Sequence, residues 1–284
     1  MSGSFNLDRP KGASLEDLVL RVMAFVLVGL ASGFLSGLLG IGGGIVRVPI
    51  FLYLLPLFGV AHSFVMHVSV GTSMALIIPS AVEATRKQIR LGNLDLKFFR
   101  IWAVGIFVGA LIGNVLLPHL STEILMAIFA LYLLVVGSYE GFAKGRVSAK
   151  AMPHTAANLG MASAVGCVAS LTGTAGGTLT TPVLQAFGVA LECAIAIASA
   201  TGLVTGSVGS IGAILAGWHA RGLLPYCLGY IDGVIFVAML PAIMLSTPIG
   251  IRIQRLLSKT WLRRAYTVML FVSAADLLAK LAIE

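Results

Sequence analysis

The stretch "GLLGIGGGIVRVP", residues 37–49, places an arginine, a proline and five glycines inside an otherwise apolar region. Glycines let a chain turn sharply and let backbone N–H groups approach a ligand without interference from Cβ atoms. A helix that begins just after them would present N–H groups and a partial positive charge, which together favour an anion. Arg47 falls in its first turn, where the guanidinium fork could hold an oxyanion by two hydrogen bonds. The stretch predicts an anion site formed by Arg47 with Gly42, Gly43 and Gly44.

A structural role for Arg47 is the alternative. A charged residue at bilayer depth costs about 2.5–3.5 kcal/mol on insertion scales, so an arginine without any partner is not expected there. Arg47 could instead lie near a membrane interface with its charge reaching water, or it could pair with Glu83. The sequence leaves substrate contact and these structural roles equally open.

A second copy of the motif, "SLTGTAGGTLTTP", occupies residues 170–182. Five positions match the first copy at a shift of 133, with Gly33, Gly40, Gly43, Gly44 and Pro49 corresponding to Gly166, Gly173, Gly176, Gly177 and Pro182. The second copy has no arginine and offers neutral hydroxyl donors instead. Its predicted ligands are Thr172, Thr174, Gly176, Gly177 and Thr178. Threonines also satisfy the backbone of broken helices in membranes, which is the structural alternative for about half of those in the motif.

The third apolar segment adds polar groups. Ser69, Thr72 and Ser73 form a stripe there, with Thr201 in the corresponding part of the second half, and we include these four in the predicted site. His67 and Glu83 share this segment and are candidates for proton coupling, although Glu83 could simply pair with Arg86. Asp232 and Asp276 stand near segment ends, where we expect them at the interface.

The composition predicts the class of protein. Of 284 residues, 58% are hydrophobic and 11% are charged, whereas soluble domains carry about 25% charged residues. Apolar runs of spanning length recur throughout, so we expect an all-α polytopic membrane protein with about 8–10 transmembrane helices in the inner membrane. Residues 1–17 are read as a polar N-terminal tail that carries no removable signal peptide. Three scattered cysteines without metal or redox spacing are expected to be packing residues.

The charge distribution predicts topology. Thirteen of the 19 Lys and Arg residues lie in the loops 86–100, 144–150 and 252–264, which should face the cytoplasm. Only three aromatic residues, Phe98, Phe99 and Trp261, fall within these loops, and nucleic acid is not an expected partner. The expected partners are a small anion and the lipid bilayer, and a homodimer is left open.

Ten apolar segments divide into two sets of five. They span residues 18–39, 45–57, 63–83, 97–117, 121–141, 156–172, 178–189, 191–217, 226–247 and 262–282. Because five is odd, the second copy must insert upside down, and an inverted repeat with Gly-interrupted segments is typical of secondary transporters. We therefore divide the chain into a first repeat (18–141), a cytoplasmic linker (142–155) and a second repeat (156–284). The segments 45–57 and 178–189 are too short to span straight, and are either tilted broken helices or re-entrant hairpins.

Enzymatic readings find little support. The "GIGGG" run lacks the βαβ context of a dinucleotide site. Serine and histidine residues occur in apolar segments, but no nucleophile motif of a hydrolase accompanies them. We expect no catalytic residue, no cofactor and no metal.

The paired Gly motifs, each followed by a "GTS"-like stretch ("VGTS" at 70–73 and "ATGL" at 200–203), resemble the sulfite exporter TauE/SafE family from about residue 18 to the end. The second motif departs from the family pattern, with Thr174 and Ala175 where glycine is frequent and Gly202 where serine is usual. The resemblance implies export of small sulfur oxyanions or organosulfonates, such as sulfite or sulfoacetate, across the cytoplasmic membrane. A transporter or channel for another small anion or solute, and a membrane assembly factor without a substrate, remain the alternatives.

Overall fold

The structure, a computed structural model, describes residues 15–39, 43–143, 154–220, 222–254 and 256–283. Within these ranges the chain forms ten α-helices and one short antiparallel hairpin of two strands. The elements are α1 (Leu15–Leu39), α2 (Gly44–Leu57), α3 (His62–Arg90), α4 (Leu96–Leu116), α5 (Thr122–Ser138), α6 (Thr155–Thr172), α7 (Gly177–Ala186), α8 (Leu191–Gly217), β1 (Cys227–Leu228), β2 (Ile231–Asp232), α9 (Gly233–Gln254) and α10 (Lys259–Ile283). Eight helices are long and apolar enough to cross a bilayer. This confirms the predicted all-α polytopic membrane fold.

The two remaining helices, α2 and α7, are short. They contain 14 and 10 residues, or about 21 Å and 15 Å, against the ~30 Å of a bilayer core. Helix α2 folds back along α1, because the ring of Phe25 early in α1 lies 5.8 Å from Phe51 and 5.6 Å from Phe58 at the end of α2. Of the two arrangements that the sequence leaves open for the first short segment, the structure has the hairpin.

Helices α3 and α8 form the centre of the bundle. Their most apolar windows are 78% and 61% buried, against 44% or less for the other six spanning helices. The two helices are antiparallel, as their contacts run in opposite order: Gly71 on Ala213, Met74 on Gly209, Ile77 on Gly206 and Ala81 on Gly202. Any group that lines a path through the protein must therefore lie beside these two helices.

Two parallel helix pairs flank this centre, and small residues allow the backbones to approach. In the pair α1–α9, Gly29 lies on Met239, Gly33 on Ile243 and Gly37 on Thr247. In the pair α4–α6, Gly105 lies on Leu159, Gly109 on Ser163 and Gly113 on Cys167. Apolar burial does not drive helices together in lipid, so close packing of small residues stabilises such pairs.

The two halves share a turn that relates their sequences. "FGVA" at Phe58–Ala61 and "FGVA" at Phe187–Ala190 follow α2 and α7 with left-handed glycines, Gly59 (φ 86°) and Gly188 (φ 80°). The shift between halves is 129 here and 133 at the Gly motifs, because α7 is four residues shorter than α2. The matching turns support a repeat of the sequence, and the opposite orientation of its two copies stays a prediction.

The same turn changes the register of the polar stripes. A shift of 129 places Thr72 opposite Thr201 and Ser73 opposite Gly202. The "VGTS" stretch therefore corresponds to residues 199–202 rather than to "ATGL" at 200–203. The alignment of the two stretches moves by one residue because it depends on the length of α7. The Gly and Pro matches alone do not determine that length.

The basic loops lie at one end of the bundle. Helices α3 and α5 begin together, because the Thr122 hydroxyl donates to the carbonyls of His62 (3.1 Å) and Ser63 (3.0 Å). Helix α10 runs antiparallel to α5, with Gly137 on Leu270 and Gly141 on Thr267. The end of α3 and the start of α10 therefore share one end, the basic end, and the opposite end is called the outer end. The basic loop at 144–150 lies outside the described residues.

We expect the basic end to face the cytoplasm. In a background without Cys167, Cys193 and Cys227, Glu123→Cys at the outer end should react with a membrane-impermeant maleimide in intact cells. Lys87→Cys and Arg252→Cys, both exposed at the basic end, should react only after permeabilisation. Labelling of Lys87→Cys in intact cells would show that the orientation is reversed.

Candidate functional site

The first Gly motif starts helix α2 as the sequence predicts. Gly43 adopts the left-handed conformation (φ 65°), and its carbonyl accepts from the N–H groups of Val46 (3.2 Å) and Arg47 (3.0 Å). A side chain is strained in this conformation, so glycine suits the position. The N–H groups of Gly44 and Ile45 are those that point outward from the helix start. Gly42 lies outside the described residues.

Arg47 lies at the start of α2. Its side chain is 2% exposed, and Nη2 lies 2.5 Å from the place that a Cβ atom on Gly43 would occupy. The guanidinium thus returns over the glycine that begins the helix. Glu83 is exposed on α3, ten residues beyond Ser73, which is about 15 Å along the helix.

The second Gly motif separates α6 from α7. Gly173 is the left-handed C-cap of α6 (φ 66°), and the Thr174 N–H donates to the Ala169 carbonyl (3.1 Å). The hydroxyls of Thr172 and Thr174 lie 2.9 Å apart. The hydroxyl of Thr178 is hydrogen-bonded to the Tyr132 hydroxyl of α5, a residue that the sequence analysis did not single out.

The two motifs touch each other. Gly44 lies against the Gly173 carbonyl and the Thr174 backbone, so that a Cβ atom on Gly44 would collide with both. The Ser73 hydroxyl of α3 donates to the same Gly173 carbonyl at 2.7 Å. Two broken backbones and one central helix therefore meet at one place, which we call the motif junction.

On the other side, the second motif faces α8. Gly177 packs against Ala198, whose carbonyl oxygen lies 3.0 Å from the place that a Cβ atom on Gly177 would occupy. Gly176 packs against Thr205. Gly176 has ordinary room for a Cβ atom (3.4 Å), and its φ is negative (−42°). Gly176 thus differs from its counterpart Gly43, where both the conformation and the space require glycine.

Most of the predicted hydroxyl ligands already donate a hydrogen bond within the protein. Each hydroxyl donates one hydrogen bond, and four of them donate to backbone carbonyls: Ser69 to Val65, Ser73 to Gly173, Thr172 to Val168 and Thr201 to Ala198. Because Thr172 donates to Val168, the proton between Thr172 and Thr174 belongs to Thr174. Thr72 accepts from the N–H of Asp232 at 3.0 Å. In this conformation the hydroxyls of Ser69, Ser73, Thr172 and Thr201 therefore have no proton left for an anion.

The two coupling candidates lie apart. His67 is buried, and its Nε2 lies 3.1 Å from the Leu117 carbonyl, so that Nε2 carries the proton and donates. Its ring packs on Tyr230 at 5.0 Å. His67 and Glu83 are sixteen residues apart, about 24 Å along α3. A single proton relay does not include both.

Asp232 corrects one expectation. It is fully buried, where the sequence analysis expects an interfacial position, and it forms an ion pair with Arg21 of α1. Arg21 is also buried and was not singled out. The two residues are 211 positions apart, and only the α1–α9 contact brings them together. Asp276 is partly exposed and accepts from the Tyr53 hydroxyl.

An all-helical bundle with two glycine-broken helices that meet beside its central pair, and with a buried arginine at their junction, is the architecture of a membrane transporter. The family described as "Sulfite exporter TauE/SafE" matches residues 25–277, and the chain belongs to this family.

Curated relatives agree with this class. A protein of Haemophilus influenzae named "Probable membrane transporter protein" is 29% identical over 91% of this chain and 98% of its own length. Proteins with similar names from Bacillus subtilis (24% identical, covering 78% of this chain and 88% of the relative) and Methanocaldococcus jannaschii (23%, covering 87% and 91%) also match. No solved structure matches the chain. The family match and the eight spanning helices identify a multi-pass membrane transporter of the inner membrane.

The contact between Gly43 and Arg47 gives a prediction with a matched control. Gly43→Ala adds a Cβ atom in a left-handed conformation and displaces Arg47, whereas Gly92→Ala (φ 72°) adds it where nothing lies within 4 Å. Each change should lower the free energy of unfolding by about 1–2 kcal/mol through backbone strain. Only Gly43→Ala should also abolish transport. Stability is followed by thermal unfolding and transport by flux into proteoliposomes; equal flux in the two folded variants would show that the space over Gly43 has no part in transport.

Proposed function

We propose that this transporter exports small sulfur-containing anions, such as sulfite or organosulfonates, across the cytoplasmic membrane. The observation that carries the proposal is the burial of Arg47 at the start of α2, where the guanidinium lies over Gly43 and the next residue, Gly44, lies against Gly173. The proposed ligands are the Arg47 guanidinium and the outward N–H groups of Gly44 and Ile45. In the second motif, the backbone of Thr174 lies against Gly44.

The chemistry of this donor set favours an oxyanion. A planar guanidinium binds two oxygens of one group in parallel, and a helix start adds N–H donors with a partial positive charge. A sulfite or sulfonate group has three oxygens, so it can engage both kinds of donor at once.

The membrane potential supplies a driving force for export. An inside-negative potential moves a monovalent anion outward with about 2.3 kcal/mol per 100 mV. Export therefore needs no coupling ion. Two features agree with this: Glu83 is exposed, and the Nε2 proton of His67 is engaged by the Leu117 carbonyl.

The test combines an anion panel with variants of Arg47. Purified protein in proteoliposomes should show saturable counterflow of labelled sulfite or sulfoacetate, and less or none with carboxylates of similar size. Arg47→Lys keeps the charge and loses the planar fork, which should weaken affinity by about 1.5–3 kcal/mol, or roughly ten- to a hundredfold. Arg47→Gln should lose more.

The control is Arg90→Gln, which removes an exposed positive charge at the end of α3. It should leave affinity unchanged. Wild-type affinity in Arg47→Gln would show that Arg47 does not bind the substrate. Unsaturable conductance would indicate a channel, and flux of other anions alone would redirect the substrate class.

A further inference from the structure

The connection between α8 and α9 differs from its counterpart in the first half. Fifteen residues separate α8 from α9, whereas five separate α3 from α4. The longer connection contains the hairpin of β1 and β2, and we call residues 222–232 the outer hairpin. Its Tyr230 N–H donates to the Ala213 carbonyl of α8 at 3.0 Å, and Gly229 lies directly on Ile214. The outer hairpin is therefore packed into the bundle.

The outer hairpin reaches the level of the motif junction. The N–H of Asp232 donates to the Thr72 hydroxyl at 3.0 Å, and the next residue, Ser73, donates to Gly173. Thr72 is the eleventh residue of α3, about 15 Å along the helix from the outer end. The outer hairpin thus lies between the motif junction and the outer end, beside α3 and α8.

A buried ion pair holds the outer hairpin in place. The carboxylate of Asp232 binds the Arg21 guanidinium, and its Oδ1 accepts from the Ile235 N–H (3.1 Å) at the start of α9. Asp232 is fully buried and Arg21 is 5% exposed. Attraction between charges is strong where water is excluded, and removal of one partner leaves the other uncompensated. The pair therefore fastens the outer hairpin to α1.

The corresponding positions at the basic end are open. Shifts of 137 and 133 relate Asp232 to Asp95 and Arg21 to His154, and both Asp95 and His154 are exposed. Asp95 begins α4 in the same manner, since its carboxylate accepts from the N–H groups of Lys97 (2.9 Å) and Phe98 (3.1 Å). The short helices differ likewise: eight of fourteen residues of α2 are buried, but two of ten in α7. Around the outer hairpin and α2 the described residues are therefore more closely packed than around Asp95, His154 and α7.

We propose that the outer hairpin is the extracytoplasmic gate of the transport path and that the Arg21–Asp232 ion pair holds it closed. The structure is then the state that is closed to the outside. Release of the substrate requires the pair to separate, so that the outer hairpin moves away from Thr72. This proposal rests on the proposed export function for the direction of release, but the closure itself does not depend on which anion is carried.

The first experiment measures closure without any substrate. Native Cys227 lies in the outer hairpin with its sulfur 4.0 Å from Asp232 Oδ2, and Cys167→Ala and Cys193→Ala leave it as the single thiol. A membrane-impermeant maleimide should label Cys227 slowly in intact cells. Asp232→Asn keeps a side chain that can begin α9 but loses the ion pair. Because burial and the Asp232 charge both raise the pKa of the Cys227 thiol, the labelling rate is compared per thiolate, and it should rise by roughly tenfold or more. Asp95→Asn, the matched control, should leave it unchanged.

A second variant keeps the labelling test decisive if Asp232→Asn fails to fold. Arg21→Gln with Asp232→Asn leaves no unpaired buried charge and should also raise the labelling rate. Rapid labelling of Cys227 in the otherwise unchanged protein, or an unchanged rate in both folded variants of the pair, would overturn the gate. Because no transport is measured, this result is independent of the proposed substrate.

A reversible lock tests the link to transport. In a background without native cysteines, Arg21→Cys and Asp232→Cys joined by a short bifunctional methanethiosulfonate reagent should lose counterflow, and reduction should restore it. Undiminished counterflow in the cross-linked protein would overturn the gate and leave the transport function intact. Absence of counterflow in the unmodified protein as well would count against the proposed substrate, while the labelling result would still decide the gate.

Discussion

The backbone contact between Gly44 and Gly173 is the constraint on which the rest of the structure depends. Neither residue has a Cβ atom, so the start of α2 can rest directly on the end of α6. Both helices must be interrupted for this contact to form, and irregular backbone within a membrane protein persists only where protein or a cavity surrounds it. The central helices provide that surrounding through Ser73 on one side and Ala198 on the other. Arg47 is buried because its helix begins at this contact.

Much of this arrangement could be predicted from the sequence. Composition and segment length identify the spanning helices, since few soluble proteins contain so many long apolar runs. The repeated glycines place both helix breaks within a residue or two, because a left-handed turn such as that at Gly43 or Gly173 is a local requirement of the backbone. The orientation stays a prediction, and it too rests on a local signal, the charge of the basic loops.

The features that sequence analysis missed depend on distant contacts. Arg21 meets Asp232 only because α1 packs beside α9, and neither residue carries a local signal of burial. The hydroxyls of Ser69 and Thr201 looked available for an anion, yet each donates to a carbonyl of its own helix. Threonine and serine readily form this bond, and only the three-dimensional environment decides whether it does. The residues of α8 that correspond to Thr72 and Ser73 of α3 could not be aligned correctly from the sequence, because α7 is four residues shorter than α2.

The central claim is that the two Gly motifs form a single anion site at their junction. The most direct measurement is a crystal structure with bound selenite, a heavier analogue of sulfite whose selenium atom can be located by anomalous scattering. The account predicts one strong peak beside the contact of Gly44 with Gly173, with the selenite oxygens about 3 Å from the Arg47 guanidinium. A well-occupied peak elsewhere in the bundle, with none at the junction, would contradict it.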